Sequence, residues 1–238
     1  MKESYLTSYI DVEGKLNVRK PFNKVMTFLF AGTKFFFDRL LALIGLIILC
    51  PLMLIIAIAI KIDSKGPALF KQERTGKRGK TFTLYKFRSM CKENNYKDFS
   101  KPDQYTKVGK ILRKTSLDEL PQLINILKGD MSFIGPRPWV VECYKYMDKK
   151  QKHRNDVRPG ITGLAQVNGR QCINILERIK YDLVYIEHYS LWMDIKIVFL
   201  TIKTVFTADG ADAGKKEKIQ DEIMTLKNQH RRKKKDMK

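Results

Sequence analysis

From Leu40 to Ile60 the chain reads LLALIGLIILCPLMLIIAIAI, with no charge anywhere in the run. A bilayer core of ~30 Å takes about 20 apolar residues as a helix. The run begins too late for a cleavable signal peptide and is followed by Lys61 rather than by small residues. Lys15, Arg19, Lys20, Lys24, Lys34 and Arg39 precede it, and Lys61, Lys65, Lys71, Arg74, Lys77, Arg78 and Lys80 follow it. The positive-inside rule wants both flanks on the cytoplasmic side, which a single crossing violates at one end. Pro51 sits at the middle of the run. It has no N–H, and its ring collides with the carbonyl of Ile47, so a helix kinks or breaks there. Each half is then about ten residues, or roughly 15 Å, which reaches the middle of the bilayer. A re-entrant helix broken at Cys50–Pro51 satisfies both the charges and the proline. A kinked spanning helix is the alternative.

The 238 residues carry a formal net charge of +21, which calls for an anionic partner: nucleic acid, an anionic lipid surface or a phosphorylated substrate. Cys50, Cys91, Cys143 and Cys172 form no C-x-x-C pair, and His153, His188 and His230 are scattered. That spacing speaks against a disulfide framework and against structural zinc, and it suits a reducing cytosol.

The pattern divides the chain into four parts. Residues 1–33 form a basic, aromatic lead, and 34–62 hold the membrane helix. Residues 63–207 carry the chemistry on the cytosolic face, and 208–238 form a polar, mobile, basic tail ending RRKKKDMK. The tail either adds attraction to anionic lipid or simply solubilises. ALFKQERTGKRGKTFTLYKFRSM reads as two strands around a glycine-containing basic turn. Ser89–Lys110 is polar and irregular. A helix is expected from near Asp118 through QLINILK, closed by Gly129. FIGPRP and RPGITGLAQVNGR read as loops stiffened by proline and glycine. NILERIKYDLVYIEHYS reads as an amphipathic helix. Ile195, Val198, Phe199, Ile202, Val205 and Phe206 recur at helical spacing, as an interfacial or a core helix.

The sharpest chemical cluster is RKTSLDELPQL. Asp118 and Glu119 are adjacent carboxylates at an expected helix start, with Arg113 and Lys114 just upstream. Free N–H groups there hold a carboxylate ionised and attract phosphate. An acid pair among cations suits a divalent metal bridging carboxylate and phosphate, or an aspartate that attacks phosphorus. S-x-x-E before an apolar run is also what simple helix capping looks like. Lys86 and Arg88 project from one strand face, Arg137 lies between Pro136 and Pro138, and Arg158 precedes a Pro-Gly turn. Arginine on a stiff loop is a phosphate clamp, although any one of these residues taken alone reads better as a surface ion pair. Asp182 lies on an amphipathic helix and is uninformative alone.

The ordered series of an apolar hairpin with a central proline, IKIDSKGPALFKQERTGKRGKTFTLYKFRSM, RKTSLDELPQLINILKGDMSFIGPRP, VRPGITGLAQVNGR and YDLVYIEHYSLWMDIKIVFLTIKTVF resembles the bacterial sugar transferases. These are monotopic phosphoglycosyl transferases that initiate capsule, exopolysaccharide or O-antigen synthesis. The likeness covers about Lys34 to Phe206. It implies transfer of a sugar 1-phosphate from a UDP-sugar to undecaprenyl phosphate with release of UMP, by a covalent two-step route with Mg2+. By motif position, Asp118 is the nucleophile and Glu119 helps hold the metal. Lys86, Arg88, Arg113, Arg137 and Arg158 surround the phosphates, and Asp182 supports the site.

The resemblance also implies an α+β, mostly helical monotopic membrane protein with a re-entrant helix, a small β-hairpin and interfacial amphipathic helices. It would sit on the cytoplasmic face of the bacterial cytoplasmic membrane, against membrane lipids, with no nucleic-acid partner and with room for homo-oligomers. Cys50–Pro51 stands where the family commonly has Ser-Pro, and Leu164 where it often has Trp. With no bundle of membrane helices before residue 40, the chain resembles the family's short, catalytic-core form. The competing reading is a non-catalytic, membrane-tethered basic protein that binds anionic polymer. A transferase that releases UDP is a further alternative.

Overall fold

The structure is a computed structural model that describes residues 24–91, 105–169, 173–206 and 219–236. It is mostly helical, with two small two-stranded sheets among the described residues. The chain divides into two compact units. One, here the dyad unit, comprises Phe37–Glu73 and Thr83–Gly129. The other, the arginine unit, holds the residues up to Phe36, Arg74–Phe82 and those from Asp130 onward.

Helix α1 runs from Lys24 to Asp63 and contains Pro51. The expected interruption at Cys50–Pro51 is thus not an end of the helix. A proline removes one ladder bond, and the turns on either side carry the helix through. The apolar stretch is largely uncovered: Ile47, Ile48, Leu54 and Ile55 are each more than 60% exposed, which a core helix of a water-soluble protein would not tolerate.

In the dyad unit one face of α1 does pack. Ile56 and Ile60 form a buried cluster with Phe87 and Leu112, joined by Met53, Ala57, Leu117 and Leu120. Strands β1 (Leu69–Thr75) and β2 (Thr81–Phe87) form the expected hairpin. Helix α2 (Lys107–Thr115) falls partly in the stretch read as irregular. Its signal was present, because Val108, Ile111 and Leu112 have helical spacing and Thr106 caps the start by accepting from Gly109 N at 2.9 Å. Ser116 then turns the chain in a left-handed conformation (φ 59°), and a short 3-10 turn, Leu117–Glu119, carries the acids. Helix α3 (Gln122–Lys128) follows and stops at Gly129, whose φ of 84° favours glycine.

In the arginine unit, β3 (Ser132–Ile134) pairs in parallel with β4 (Gly160–Thr162), with Ser132 opposite Gly160. The sequence shows only loops here, because three-residue strands around Gly and Pro leave no alternation to detect. A Cβ at Gly160 would lie 2.1 Å from Gly135 N, so only glycine permits the approach. Short helices α4 (Val141–Tyr146), α5 (Lys149–Lys152) and α6 (Leu164–Val167) are followed by α7 (Ile175–Glu187) and α8 (Leu191–Phe206). Helix α7 is central. Tyr181, Val184 and Tyr185 enter one apolar cluster, while Ile175, Ile179 and Leu183 enter another. Helix α8 buries Met193 and Ile197 yet leaves Trp192 75% and Phe199 69% exposed, so it has both a core face and an uncovered apolar face.

The tail expected to be mobile contains α9 (Ile219–Asp236). Its Leu226 is fully buried beside Cys143 and Trp139. Leu226, with Ile223 packed beside it, and the ion pairs of Glu222 with Arg178 and of Lys233 with Asp148 dock a segment whose composition is polar. Residues 1–23 of the lead, Cys172 and residues 207–218 lie outside the described residues.

Candidate active site

The acid turn is held on three sides within the dyad unit. Leu117 and Leu120, which bracket the acids, pack on the Ile56–Ile60 cluster of α1. Asp118 is buried, and Lys86 Nζ lies 2.7 Å from Glu119 Oε1, the two side chains being 18% and 15% exposed. Ser116 makes no side-chain capping bond, so the acids do not serve a capping box there. Behind the turn, α3 is fastened to β2 by Asn125. Its Nδ2 donates to Thr83 O at 2.7 Å, and its Oδ1 accepts from Tyr85 N at 3.1 Å. Asn125 is fully buried, and its amide completes the edge of β2 as a neighbouring strand would. That fixes Lys86, the next residue, relative to the turn that carries Glu119.

Arg88 is also buried, and its guanidinium is engaged with the end of α1. Nη1 donates to Lys65 O at 2.6 Å, and Nη2 donates to Ser64 O at 2.7 Å. A cation at a helix C-terminus satisfies carbonyls that have no partner within the helix. Arg113 donates through Nε to Ser89 Oγ at 3.2 Å and through Nη1 to the Tyr105 hydroxyl at 2.8 Å.

The other candidates belong to the arginine unit. The Pro136–Arg137–Pro138 loop is tied back beside β4, where Gly160 N donates to Pro136 O at 3.0 Å. Arg154 Nη2 donates to the carbonyl of Arg137 at 2.7 Å, and its Nε donates to Asp182 Oδ2 at 2.8 Å. Arg154 and Asp182 are 1% and 2% exposed, and the guanidinium lies 4.0 Å from the centre of the Trp139 ring. Burial pushes the Asp182 carboxyl above its ordinary value, with the Arg154 charge opposing. The Arg158 guanidinium lies 3.9 Å from the centre of the Phe35 ring. Burial, then the Arg158 and Arg78 charges, pull the Lys77 ammonium below its ordinary value, as expected where cations converge.

The structure therefore brings Lys86, Glu119 and Asp118 together, and separately gathers Arg137, Arg158 and Asp182 in the arginine unit. Two residues escaped the sequence reading. Asn125 had a signal, a polar residue on the buried side of QLINILK. Arg154 had none, since the residues around it in KHRND are all polar.

Among the described residues no group of three or more His, Cys, Asp or Glu forms a ready-made metal cage. Magnesium asks for less: one or two carboxylates, with substrate phosphates and water completing the octahedron. The adjacent Asp118 and Glu119 fit that requirement.

Residues 30–208 match the model of the family described as bacterial sugar transferase. The chain belongs to that family. The sugar transferase EpsL of Bacillus subtilis, itself called uncharacterized, is 45% identical over 161 residues, covering 67% of this chain and 79% of that protein. The UDP-glucose:undecaprenyl-phosphate glucose-1-phosphate transferase of Klebsiella pneumoniae is 49% identical over 177 residues, or 69% of this chain and 38% of its own. The UDP-N-acetylgalactosamine-undecaprenyl-phosphate N-acetylgalactosaminephosphotransferase of Aeromonas hydrophila is 44% identical over 184 residues, or 73% and 44%. The chain thus spans less than half the length of these last two relatives.

Proposed function

We propose that this sugar transferase moves a sugar 1-phosphate from a UDP-sugar to undecaprenyl phosphate and releases UMP, as the first membrane step of an extracellular polysaccharide. The observation that carries this reading is the acid pair, held beside Lys86 on a turn that packs against the apolar helix. Chemistry built there suits a water-soluble phosphate donor and a membrane-bound phosphate acceptor. The names of the Klebsiella and Aeromonas relatives support the same substrate classes. Those names differ in the sugar, so the reading stops at UDP-sugar.

In the first step an Asp118 carboxylate oxygen attacks the phosphorus that bears the sugar. The Asp118 O–P bond forms, the bridging P–O bond breaks, and UMP leaves with the bridging oxygen. In the second step a phosphate oxygen of the lipid attacks the same phosphorus and frees Asp118. Lys86 faces the developing charge on the phosphoryl oxygens and holds Glu119 in orientation. Asp118 and Glu119 would hold Mg2+, which when bound neutralises charge between the phosphates. Arg113 adds a further cation at the dyad unit, and Arg137 and Arg158 are the arginine unit's cations suited to phosphate. Arg88 acts by fixing the end of α1, and Asp182 by holding Arg154 under the Arg137 loop.

The basic flanks of α1 support a chain that enters and leaves the bilayer on the cytoplasmic face, bending at Pro51 within the helix. Labelling of a cysteine placed before and another placed after the apolar run, in sealed vesicles, should report one side for both. Opposite sides would mean a spanning helix.

The covalent step has a direct test. Donor is added without lipid acceptor, and the intact mass is measured. A gain of one phosphosugar, absent in Asp118→Asn, is expected. An unchanged mass while turnover with acceptor persists would rule the covalent route out.

A further inference from the structure

Helix α9 lies beyond the family match, which ends at residue 208, so the family's chemistry does not account for it. It is nevertheless docked within the arginine unit. Leu226 is buried, Arg178 Nη2 meets Glu222 Oε1 at 2.6 Å, and Gln151 Nε2 donates to Gln229 Oε1 at 2.8 Å. A Lys233–Asp148 ion pair closes the far end. These contacts have an electrostatic consequence. They bring the exposed run Arg231–Arg232–Lys233–Lys234 alongside α5, whose Lys149 and Lys150 are exposed as well. The Asp148 carboxylate at this junction is already engaged with Lys233 and with Gln151 N.

The dipole of α9 favours a cation or two in its last turn. It gives no reason to set the lysines of a second helix beside them, where like charges repel. A surface that gathers cations against their own repulsion fits a multivalent anion. We propose that the face formed by α5 and the C-terminal half of α9 binds the headgroups of anionic lipid. This inference does not depend on the reaction proposed above.

Lipid is the occupant the observations favour. The same chain exposes the apolar residues of α1, and α8 presents Trp192 and Phe199. Such a protein works at a bilayer, where basic clusters of this size gather anionic headgroups. Single-stranded nucleic acid is the weaker match, because Ile219–Asp236 contains no Phe, Tyr or Trp on which bases could stack, and its one ring, His230, already lies edge-on to Tyr146.

The test uses the full chain in nanodiscs of phosphatidylcholine, alone or mixed with phosphatidylglycerol, and reads amide hydrogen exchange of α9. Exchange several-fold slower in the anionic discs is expected, with the difference lost at high salt. A variant carrying K149A, K150A, R231A, R232A and K234A should lose the difference. It keeps Lys233, Leu226 and Glu222, so its exchange in neutral discs should match that of the parent and report intact docking. Equal exchange in both discs for the parent would overturn the proposal, as would a lipid effect that survives in the docked variant. Protection by added oligonucleotide or polyglutamate in neutral discs, with none from anionic lipid, would overturn it in favour of another polyanion.

Discussion

The two units each contain a cation–carboxylate pair of nearly equal length, in opposite surroundings. Lys86 and Glu119 meet at 2.7 Å with 18% and 15% of their side chains exposed, whereas Arg154 and Asp182 meet at 2.8 Å with 1% and 2% exposed. A pair with one side open to water can exchange its partner for a phosphate oxygen or a metal without stranding a charge. A pair sealed in the core cannot, since removal of either member leaves the other uncompensated. Arg154 also donates through Nη2 to the Arg137 carbonyl, so the closed pair acts through the loop it holds. Exposure, more than distance, separates the pair suited to chemistry from the pair suited to scaffolding.

The largest expected effect falls beside the open pair. Asp118→Asn should lower UMP release by about 10³-fold or more while membrane association persists, since the amide cannot act as the attacking carboxylate and Glu119 is engaged with Lys86. Near-normal release would remove the dyad unit from the chemistry. On the closed pair, Asp182→Asn should destabilise the protein by roughly 3–5 kcal/mol in detergent-solubilised unfolding, by stranding the Arg154 charge. The double change Arg154→Met with Asp182→Leu sharpens the contrast. Stability should largely return while activity does not, because the Arg137 carbonyl has lost its donor. Recovery of both would mean that the loop needs no anchor.

For the open pair the balance should be reversed. Lys86→Met should cost only about 1 kcal/mol of stability, yet lower kcat by about 10²-fold through loss of charge stabilisation. A large loss of stability instead would make the pair structural. Asn125→Ala should cost about 1–3 kcal/mol by leaving Thr83 O and Tyr85 N unpaired. It should also lower kcat more than it raises KM, because it loosens the Lys86–Glu119 geometry without touching substrate. A change in KM alone would contradict that role.

The smallest effect concerns α9. Although burial works the other way, the Lys233 contact and backbone N–H donors hold the Asp148 carboxyl below its ordinary value of 3.8. Its share of stability is therefore present above that value and lost as pH falls through the depressed one. Exchange of α9 should quicken only under strongly acid conditions, and quickening near neutrality would contradict this assignment.

Much of this organisation was legible in the sequence. The apolar run announced α1 because nothing but lipid or a core accepts such a stretch. The hairpin, α3 and α7 followed from alternation, from Pro121 with Gly129, and from 3.6-residue spacing. The acids stood out because adjacent carboxylates amid arginines are unusual. Arg154 did not stand out, because its role depends on burial against Trp139 and Asp182, which lie far from it in the chain. The β3–β4 pair was hidden for a similar reason, since its register depends on the mutual approach of Gly135 and Gly160. The docking of α9 was masked by polar composition, a single buried leucine being invisible in any sequence window.

The account turns on which bond of the donor breaks, and the nucleotide product reports that directly. The full chain in nanodiscs would be given magnesium, undecaprenyl phosphate and a panel of UDP-sugars, with UMP and UDP assayed separately. UMP is the predicted product, formed beyond the one equivalent that accompanies the covalent intermediate only when the lipid is present and only from a sugar the enzyme accepts, with Asp118→Asn silent. UDP as the product would mean that the bond between sugar and phosphate breaks, and the proposed attack of Asp118 on phosphorus would be wrong.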